Sequence, residues 1–367
     1  MIANREEFRT VLVEEALSWL RKRLPDDWEL RDSAPGPSNE DGAAHLTLQA
    51  TGGYMATIVV EARESLSPRE AAQLLQGFGQ ALRSINTATV LLVVAPWLSR
   101  GTQETLARQG INYIDLTGNA LVRLSSPAVY LETEGEARNP NPKARAKAQL
   151  RGPRASRLIR LLADVRPPYG VRELAEAAQL APGYTSQLLE TLYDEALIER
   201  SRRGRVEDVD LTGLLRRWST TYDVLRSNTP ASFIAPEGVD DLLARLADDE
   251  AVATRIAITG SFAAVRLAPV AAPALLLAYS DLPPSLTQAL GLLPASEGAN
   301  VILLQPLDSV AWLRTSIDEG LRYAAPSQVA VDCMTGTGRM PAEGEALLDW
   351  LPANEPRWRR SSLRDLA

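Results

Sequence analysis

Residues 170–206 read GVRELAEAAQLAPGYTSQLLETLYDEALIERSRRGRV, and no other stretch constrains the fold as tightly. Val171, Leu174, Ala175 and Ala178 recur at helical spacing, after which Pro182 and Gly183 end that helix and seat a second one. The second helix is predicted to bury Leu188, Leu189, Leu192, Ala196 and Leu197. That leaves Tyr184, Ser186, Gln187, Glu190 and Thr191 on a short, polar outer face. After Ile198 the chain becomes ERSRRGRVEDV. Gly204 can take the positive φ that a tight hairpin needs, with Arg200, Arg202, Arg203 and Arg205 flanking its tip.

Residues PGYTSQLLETLYDEALIERSRRGRV resemble the turn, recognition helix and wing of winged helix-turn-helix transcriptional regulators. The winged-helix domain that it implies, residues 151–229, covers roughly a fifth of the chain. It implies that the first turns of the second helix enter a DNA major groove, where Gln can pair with adenine and Ser can meet several base edges. It also implies a basic hairpin on phosphates or in a minor groove. A winged helix used only for packing or dimerisation is the bland alternative.

Charge is segregated along the sequence in a way that fits this. The 367 residues carry a formal net charge of -7, yet residues 137–230 hold 17 basic and 11 acidic side chains. Residues 1–136 hold 12 basic and 18 acidic, and residues 231–367 hold 10 and 17. From Arg138 to Arg160 there is no acid at all, while Arg138, Lys143, Arg145, Lys147, Arg151, Arg154, Arg157 and Arg160 follow one another. Such a run favours a polyanion and gives salt-sensitive binding. The DNA-contacting residues expected from the sequence are Tyr184, Ser186, Gln187 and Thr191 on the helix and Arg200, Arg202, Arg203 and Arg205 on the wing. Lys143, Arg145, Lys147, Arg151 and Arg154 complete the set from the basic run.

One cysteine, Cys333, and one histidine, His45, remove whole classes of chemistry. Neither an intrachain disulfide nor a zinc site built from Cys and His is possible. His45 lies in the alternating stretch HLTLQA and reads as a strand residue rather than a base, with no nucleophile elbow in the chain. No cofactor, metal or catalytic residue is expected. The N-terminus MIANREEF lacks a signal-peptide core and no apolar run approaches a membrane span, so a cytoplasmic protein is expected. Heavy use of arginine over lysine points to a GC-rich bacterial source.

The flanks read as α/β. An amphipathic helix at 5–24 is followed by strands at His45–Ala50 and Ala56–Ala62, a helix from Pro68 to Ser84 and the strand TVLLVVAP. A helix at Thr102–Gln109 and the strands INYIDL and ALVRL come next. This order resembles the restriction-endonuclease core, where an Asp and a Glu-x-Lys hold magnesium. Here VVEAR offers Glu61 and Arg63, an Arg cannot serve as a base, and the strand Asp is missing, so cleavage chemistry is expected to be absent. In GINYIDLTGNALVRL, Asp115, Gly118 and Asn119 suit a tight turn between strands, and the stretch resembles segments of AbiEi-like antitoxins.

Beyond the wing, Leu211, Leu214, Leu215, Trp218 and Tyr222 form an apolar stripe suited to a core or a dimer seam. The C-terminal part, with TRIAITGSFAAVRLAP, ALLLAYSD and NVILLQPLD, resembles the nucleotidyltransferase-like fold. Gly260 and Ser261 fit its first motif, but AYSD lacks the second aspartate, so catalysis is not expected there either. Asp332, Gly336 and Gly338 are read as a strand followed by a glycine-rich turn, and RWRRSSLRDLA as a frayed tail or a DNA contact.

The expected fold class is therefore α/β and α+β multidomain, with a central winged helix-turn-helix between two α/β domains. The expected limits are 1–136, a basic linker at 137–150, the winged helix at 151–229 and the second α/β domain at 230–367. The expected function is a sequence-specific transcriptional regulator, a homodimer on double-stranded DNA, with a small-molecule effector or protein partner at a flanking domain and no membrane partner. A nucleic-acid-processing enzyme and an antitoxin-type regulator are the alternatives.

Overall fold

A computed structural model describes residues 3–32, 44–74, 89–141, 149–281 and 284–366. The chain divides into two compact units, Met1–Ala146 with Asp194–Ala196, and Lys147–Tyr193 with Leu197–Ala367.

The first unit opens with α1 (Ala3–Arg21), β1 (Glu29–Asp32), β2 (Ala44–Gln49) and β3 (Met55–Ala62). It continues through α2 (68–74), β4 (Thr89–Ala95), α3 (Arg100–Arg108), β5 (Asn112–Asp115), β6 (Ala120–Ser125) and β7 (Ala128–Thr133). The seven strands lie side by side in chain order, and the central pairs β3/β4 and β4/β5 are parallel. Both faces of the central strands are covered, which is why MATIVVEA and TVLLVVA are nearly unbroken apolar runs. Ile58, Val60, Leu92 and Val94 point to one side, against Leu12, Ala16 and Leu20 of α1. Their neighbours Val59, Leu91 and Val93 point to the other, with Ala71, Leu74, Leu98 and Leu106. The strands β1 and β7 add to those read from the sequence, and positions 75–84 of the expected second helix lie outside the described residues.

The second unit holds the winged helix and the C-terminal sheet together. It begins with α4 (Pro153–Asp164), α5 (Val171–Ala177), α6 (Pro182–Asp194), β8 (Ile198–Arg200), β9 (Val206–Val209) and α7 (Leu211–Ser219). A mixed α/β part follows with β10 (Asn228–Ile234), α8 (Val239–Asp248), α9 (Glu250–Ala253), β11 (Ile256–Thr259), α10 (Ser261–Ala264), β12 (Leu276–Ser280) and α11 (Pro284–Ala289). The chain ends through β13 (Leu293–Pro294), β14 (Val301–Pro306), β15 (Ser316–Asp318), β16 (Leu321–Tyr323), α12 (Pro326–Met334), α13 (Met340–Ala353) and α14 (Glu355–Trp358). This second sheet runs β13-β10-β14-β12-β11-β16-β15.

One hydrophobic cluster extends from Leu150 and Leu158 through Leu188, Leu214 and Trp218 to Leu277, Val329 and Leu351. The winged helix and the C-terminal sheet therefore share a core, whereas the sequence suggests separate domains at 151–229 and 230–367. The stripe on α7 is a core stripe: Leu211, Leu214, Leu215 and Trp218 are all buried.

Two further expectations are corrected. QVAVDCM is not a strand but the greater part of α12, running to its last residue, in a helix started by Pro326 at its first turn. Its alternating β-branched residues are misleading because the helix is buried on nearly all sides, Gln328 to Cys333 included. The RWRR segment is not frayed. Arg359 is buried and gives Nη2 to the Leu162 carbonyl at 2.9 Å, while the Arg360 backbone meets Asp164 O and Arg166 N.

The helix-turn-helix is fixed to the sheet by polar as well as apolar contacts. Arg160 of α4 is fully buried and makes five hydrogen bonds, matching its five N–H groups. Nη1 donates to Gln328 Oε1 at 2.7 Å and to Val310 O at 3.2 Å, and Nη2 to Leu313 O at 2.8 Å and Asp164 Oδ2 at 3.0 Å. Nε also reaches Asp164 Oδ2, at 3.2 Å. Asp164 in turn accepts from Arg314 and Ser327. Burial alone would raise its pKa, but the guanidiniums of Arg160 and Arg314 outweigh burial and hold the carboxyl below its ordinary value. Its stabilising contribution is therefore present above the unfolded value and lost as pH falls through the lowered folded one.

Replacing Arg160 by Ala leaves the Val310 and Leu313 carbonyls and Gln328 Oε1 without their donor and leaves Asp164 with Arg314 and Ser327 alone. Chemical denaturation is expected to show a loss of about 3–5 kcal/mol in the stability of the second unit.

Candidate nucleic-acid interface

The helix-turn-helix forms where the sequence places its local signals. Gly170 N–H donates to Glu173 Oε2 at 2.6 Å, closing the first turn of α5. Gln179 turns the chain at φ 55, and Pro182 opens α6, whose first turn is pinned by Thr185 N–H to Ala181 O at 3.0 Å. Leu188, Leu189 and Leu192 are buried, so Gln187 and Glu190 are exposed and Ser186 is half-buried. Tyr184 is also half-buried, its ring packed on the shared core.

Thr191 does not join that outer face. It is buried, and its hydroxyl donates back to Gln187 O at 3.1 Å. Thr191 is an i, i+4 neighbour of Gln187 but lies between it and the inward Leu188 in helical phase, on the side that packing covers. Ala196, expected in the core, is half-buried and holds φ 58 in the bend after α6.

The wing is the β8–β9 hairpin, widened by Tyr169, which exchanges backbone hydrogen bonds with Val206 at 3.2 and 3.0 Å. Gly204 has φ +80 at the tip, where any other residue is strained. Arg200 folds back on that tip and gives Nε and Nη2 to the Gly204 carbonyl at 3.3 and 3.1 Å. Arg205 reaches Pro168 O at 3.4 Å, and Arg202 and Arg203 are exposed. Two of the four wing arginines thus brace the hairpin, and two extend from it.

Arg151 and Arg154 are exposed at the start of α4. With Arg157 and Tyr184 they line one open groove of about 400 Å³, which also includes Asp308. The structure thereby joins part of the basic run to the first turn of α6. Lys143, Arg145 and Lys147 lie outside the described residues. Arg157 and Arg160, basic members of the same run, turn inward: Arg157 is clamped on Asp308 at 2.9 and 3.2 Å, and Arg160 is the buried anchor described above.

A second polar cluster was not legible as a unit. Asp332 is fully buried and accepts from Thr259 at 2.6 Å, Tyr279 at 2.7 Å, Gln328 at 2.8 Å and Tyr222 at 2.9 Å. Burial raises the Asp332 carboxyl above its ordinary value, against these hydrogen bonds. Burial, and then the Asp332 charge, also push both tyrosines well up, so they stay protonated donors. Gln328 is four residues before Asp332 on α12, but the other three donors come from separate segments 53 to 110 residues away, so local spacing could not announce the cluster.

The remaining candidates of the first unit are occupied structurally. Asp115 accepts from the backbone N–H groups of Leu98, Thr117 and Asn119 at 2.9–3.0 Å and from the side chains of Thr117 and Asn119, fastening the turn at Gly118. Glu61 is buried in β3 with Arg63 Nε at 2.8 Å, and His45 lies in β2. Among the described residues no cluster of His, Cys, Asp and Glu could hold a metal ion, and no helix is long and apolar enough to cross a membrane.

Taken together, α4 to β9 define a helix-turn-helix domain completed by a two-stranded hairpin. Residues 153–202 match the IclR helix-turn-helix domain, which supports a DNA-binding transcription regulator. No curated protein matches the chain. A solved structure described as EndoMS in apo form is similar at 18% identity over 28% of this chain and 44% of its own. Its TM-score is 0.20. The endonuclease-like, nucleotidyltransferase-like and antitoxin-like resemblances of the flanks find no support in these matches.

The inward position of Thr191 is directly testable. Thr191→Val is expected to leave affinity for duplex DNA within about twofold of the parent in a fluorescence anisotropy titration, because a buried side chain makes no base contact.

Proposed function

We propose that the protein is a sequence-specific transcriptional regulator that reads duplex DNA with α6 and holds the backbone with the wing and the start of α4. The observation that carries this reading is the exposed, polar first half of α6 beside a groove lined by Arg151, Arg154 and Tyr184. The residues of α6 free to meet base edges in a major groove are Ser186 and Gln187, with Tyr184 at the groove margin. Arg202 and Arg203 reach phosphates or a minor groove. Arg200 and Arg205 shape the hairpin that carries them. Lys143, Arg145 and Lys147 extend the positive charge along the sequence.

One short helix face reads only a few base pairs, so a homodimer on a repeated half-site is the form that gives useful specificity. The acidic balance of residues 1–136 and 231–367 disfavours DNA beyond that footprint. Work on a bacterial chromosome puts the protein in the cytoplasm. No catalytic role is assigned to the first unit, because the Asp115 oxygens are consumed by the turn they fasten and Arg63 stands where a nuclease lysine would act.

Replacing Arg202 and Arg203 together with Ala is expected to weaken binding by a similar factor on every duplex. The slope of log affinity against log salt should flatten by about 1.8, roughly 0.9 for each phosphate that the variant no longer neutralises. Gln187→Ala should instead change the ranking of duplexes, with any one base-pair preference shifting by about 1–3 kcal/mol. Gel-shift series over salt and sequence separate the two. Uniform binding that neither substitution alters would contradict the proposal.

A further inference from the structure

The second unit contains a cavity of about 160 Å³ between the helix-turn-helix and the C-terminal sheet. Its wall includes Gly152, Pro153 and Ser156 of the α4 start, Trp218 and Tyr222 beyond it, and Asn228, Leu307, Asp308 and Gln328 from the α/β part. Trp218 and Tyr222 pack with ring centroids 5.2 Å apart and planes tilted by 41°, giving the wall an aromatic side. Below them lies the saturated Asp332 cluster, which makes that end rigid.

Two features mark the cavity as a ligand site rather than a packing defect. Ser156 and Trp218 are 9% and 1% exposed and both line it, yet neither the serine hydroxyl nor the indole N–H has a hydrogen-bond partner among the described residues. Both polar atoms stay accessible to solvent, so an occupant of the cavity meets a free hydroxyl and a free indole N–H on its wall. The cavity also abuts the basic groove: Gly152, Pro153 and Asp308 line both. Asp308, in the shared wall, is the residue that grips Arg157 of α4.

We infer that this cavity binds a neutral single-ring aromatic molecule carrying one hydroxyl or carbonyl oxygen, and that occupancy weakens DNA binding. The size follows from volume, since a cavity of about 150 Å³ holds benzene. Neutrality follows from the wall, where the one carboxylate, Asp308, is already paired with Arg157. The oxygen is the acceptor for the Trp218 N–H and the partner for the Ser156 hydroxyl. An occupant packed on Leu307 and Asp308 holds the Arg157–Asp308 pair closed. That keeps one cation from a phosphate beside Arg151 and Arg154.

The coupling rests on the DNA-binding reading, whereas the ligand site does not. Phenol, benzyl alcohol and acetophenone are the probes, followed by ligand-observed NMR on the full chain at about 5 mM, where a site of millimolar affinity is mostly filled. Saturation transfer is expected to at least one of them. It should vanish in Ser156→Leu, which fills the cavity, with circular dichroism confirming that this variant is folded. Trp218→Phe keeps the ring, deletes the N–H and should weaken binding about fivefold, the scale of one hydrogen bond. No transfer to any probe, or equal transfer to parent and both variants, overturns the site. In a duplex titration the bound probe should lower DNA affinity about fivefold or more in the parent and not in Ser156→Leu. Unchanged affinity overturns the coupling, and probe binding in a protein that retains no DNA overturns the regulatory reading while leaving the site standing.

Discussion

A single buried guanidinium organises the second unit. Arg160 lies on the first helix of the helix-turn-helix, and its five hydrogen bonds end on that helix, on the segment from Val310 to Leu313 and on α12. Taking such a charge out of water costs several kcal/mol, and only a full set of acceptors with a paired carboxylate offsets that. Asp164 supplies the pairing, and Gln328 carries the network onward to Tyr222, Tyr279 and Asp332. The recognition element is thus not a module on a tether. It shares its polar and apolar interior with the sheet behind it, so a change in either is felt by the other.

That arrangement explains how the basic run is divided. Sequence alone shows an unbroken series of cations from Arg138 to Arg160, all alike as candidates for a polyanion. The fold separates them by helical phase. Arg151 and Arg154 face outward at the start of α4, Arg157 is half-turned onto Asp308, and Arg160 is interior. The wing shows the same economy. Arg200 secures the Gly204 turn, which leaves Arg202 and Arg203 as the free ends of the hairpin.

What the sequence discloses well is local. The α5–turn–α6 unit and the hairpin depend on i to i+4 spacing, on Pro182 and on the positive φ of Gly204, all contained within a few residues. The turn at Asp115 to Asn119 was legible for the same reason. Where it misleads, long-range burial decides. QVAVDCM alternates like a strand yet is a helix surrounded by the core, and Thr191 looks polar and outward yet closes its hydrogen bond on its own helix. The C-terminal arginines look like a solvated tail but pair with α4, nearly two hundred residues earlier. The Asp332 cluster joins positions 49 to 110 residues apart for most of its bonds, a separation at which no motif is visible.

The central claim is that an exposed face of α6, held rigid by the Arg160 network, selects DNA by sequence. The most direct measurement is selection of duplexes by the full chain from a random pool at near-physiological salt, followed by sequencing. The account predicts convergence on a short motif present in two copies at a fixed spacing. Recovery of a pool as diverse as the input would contradict it.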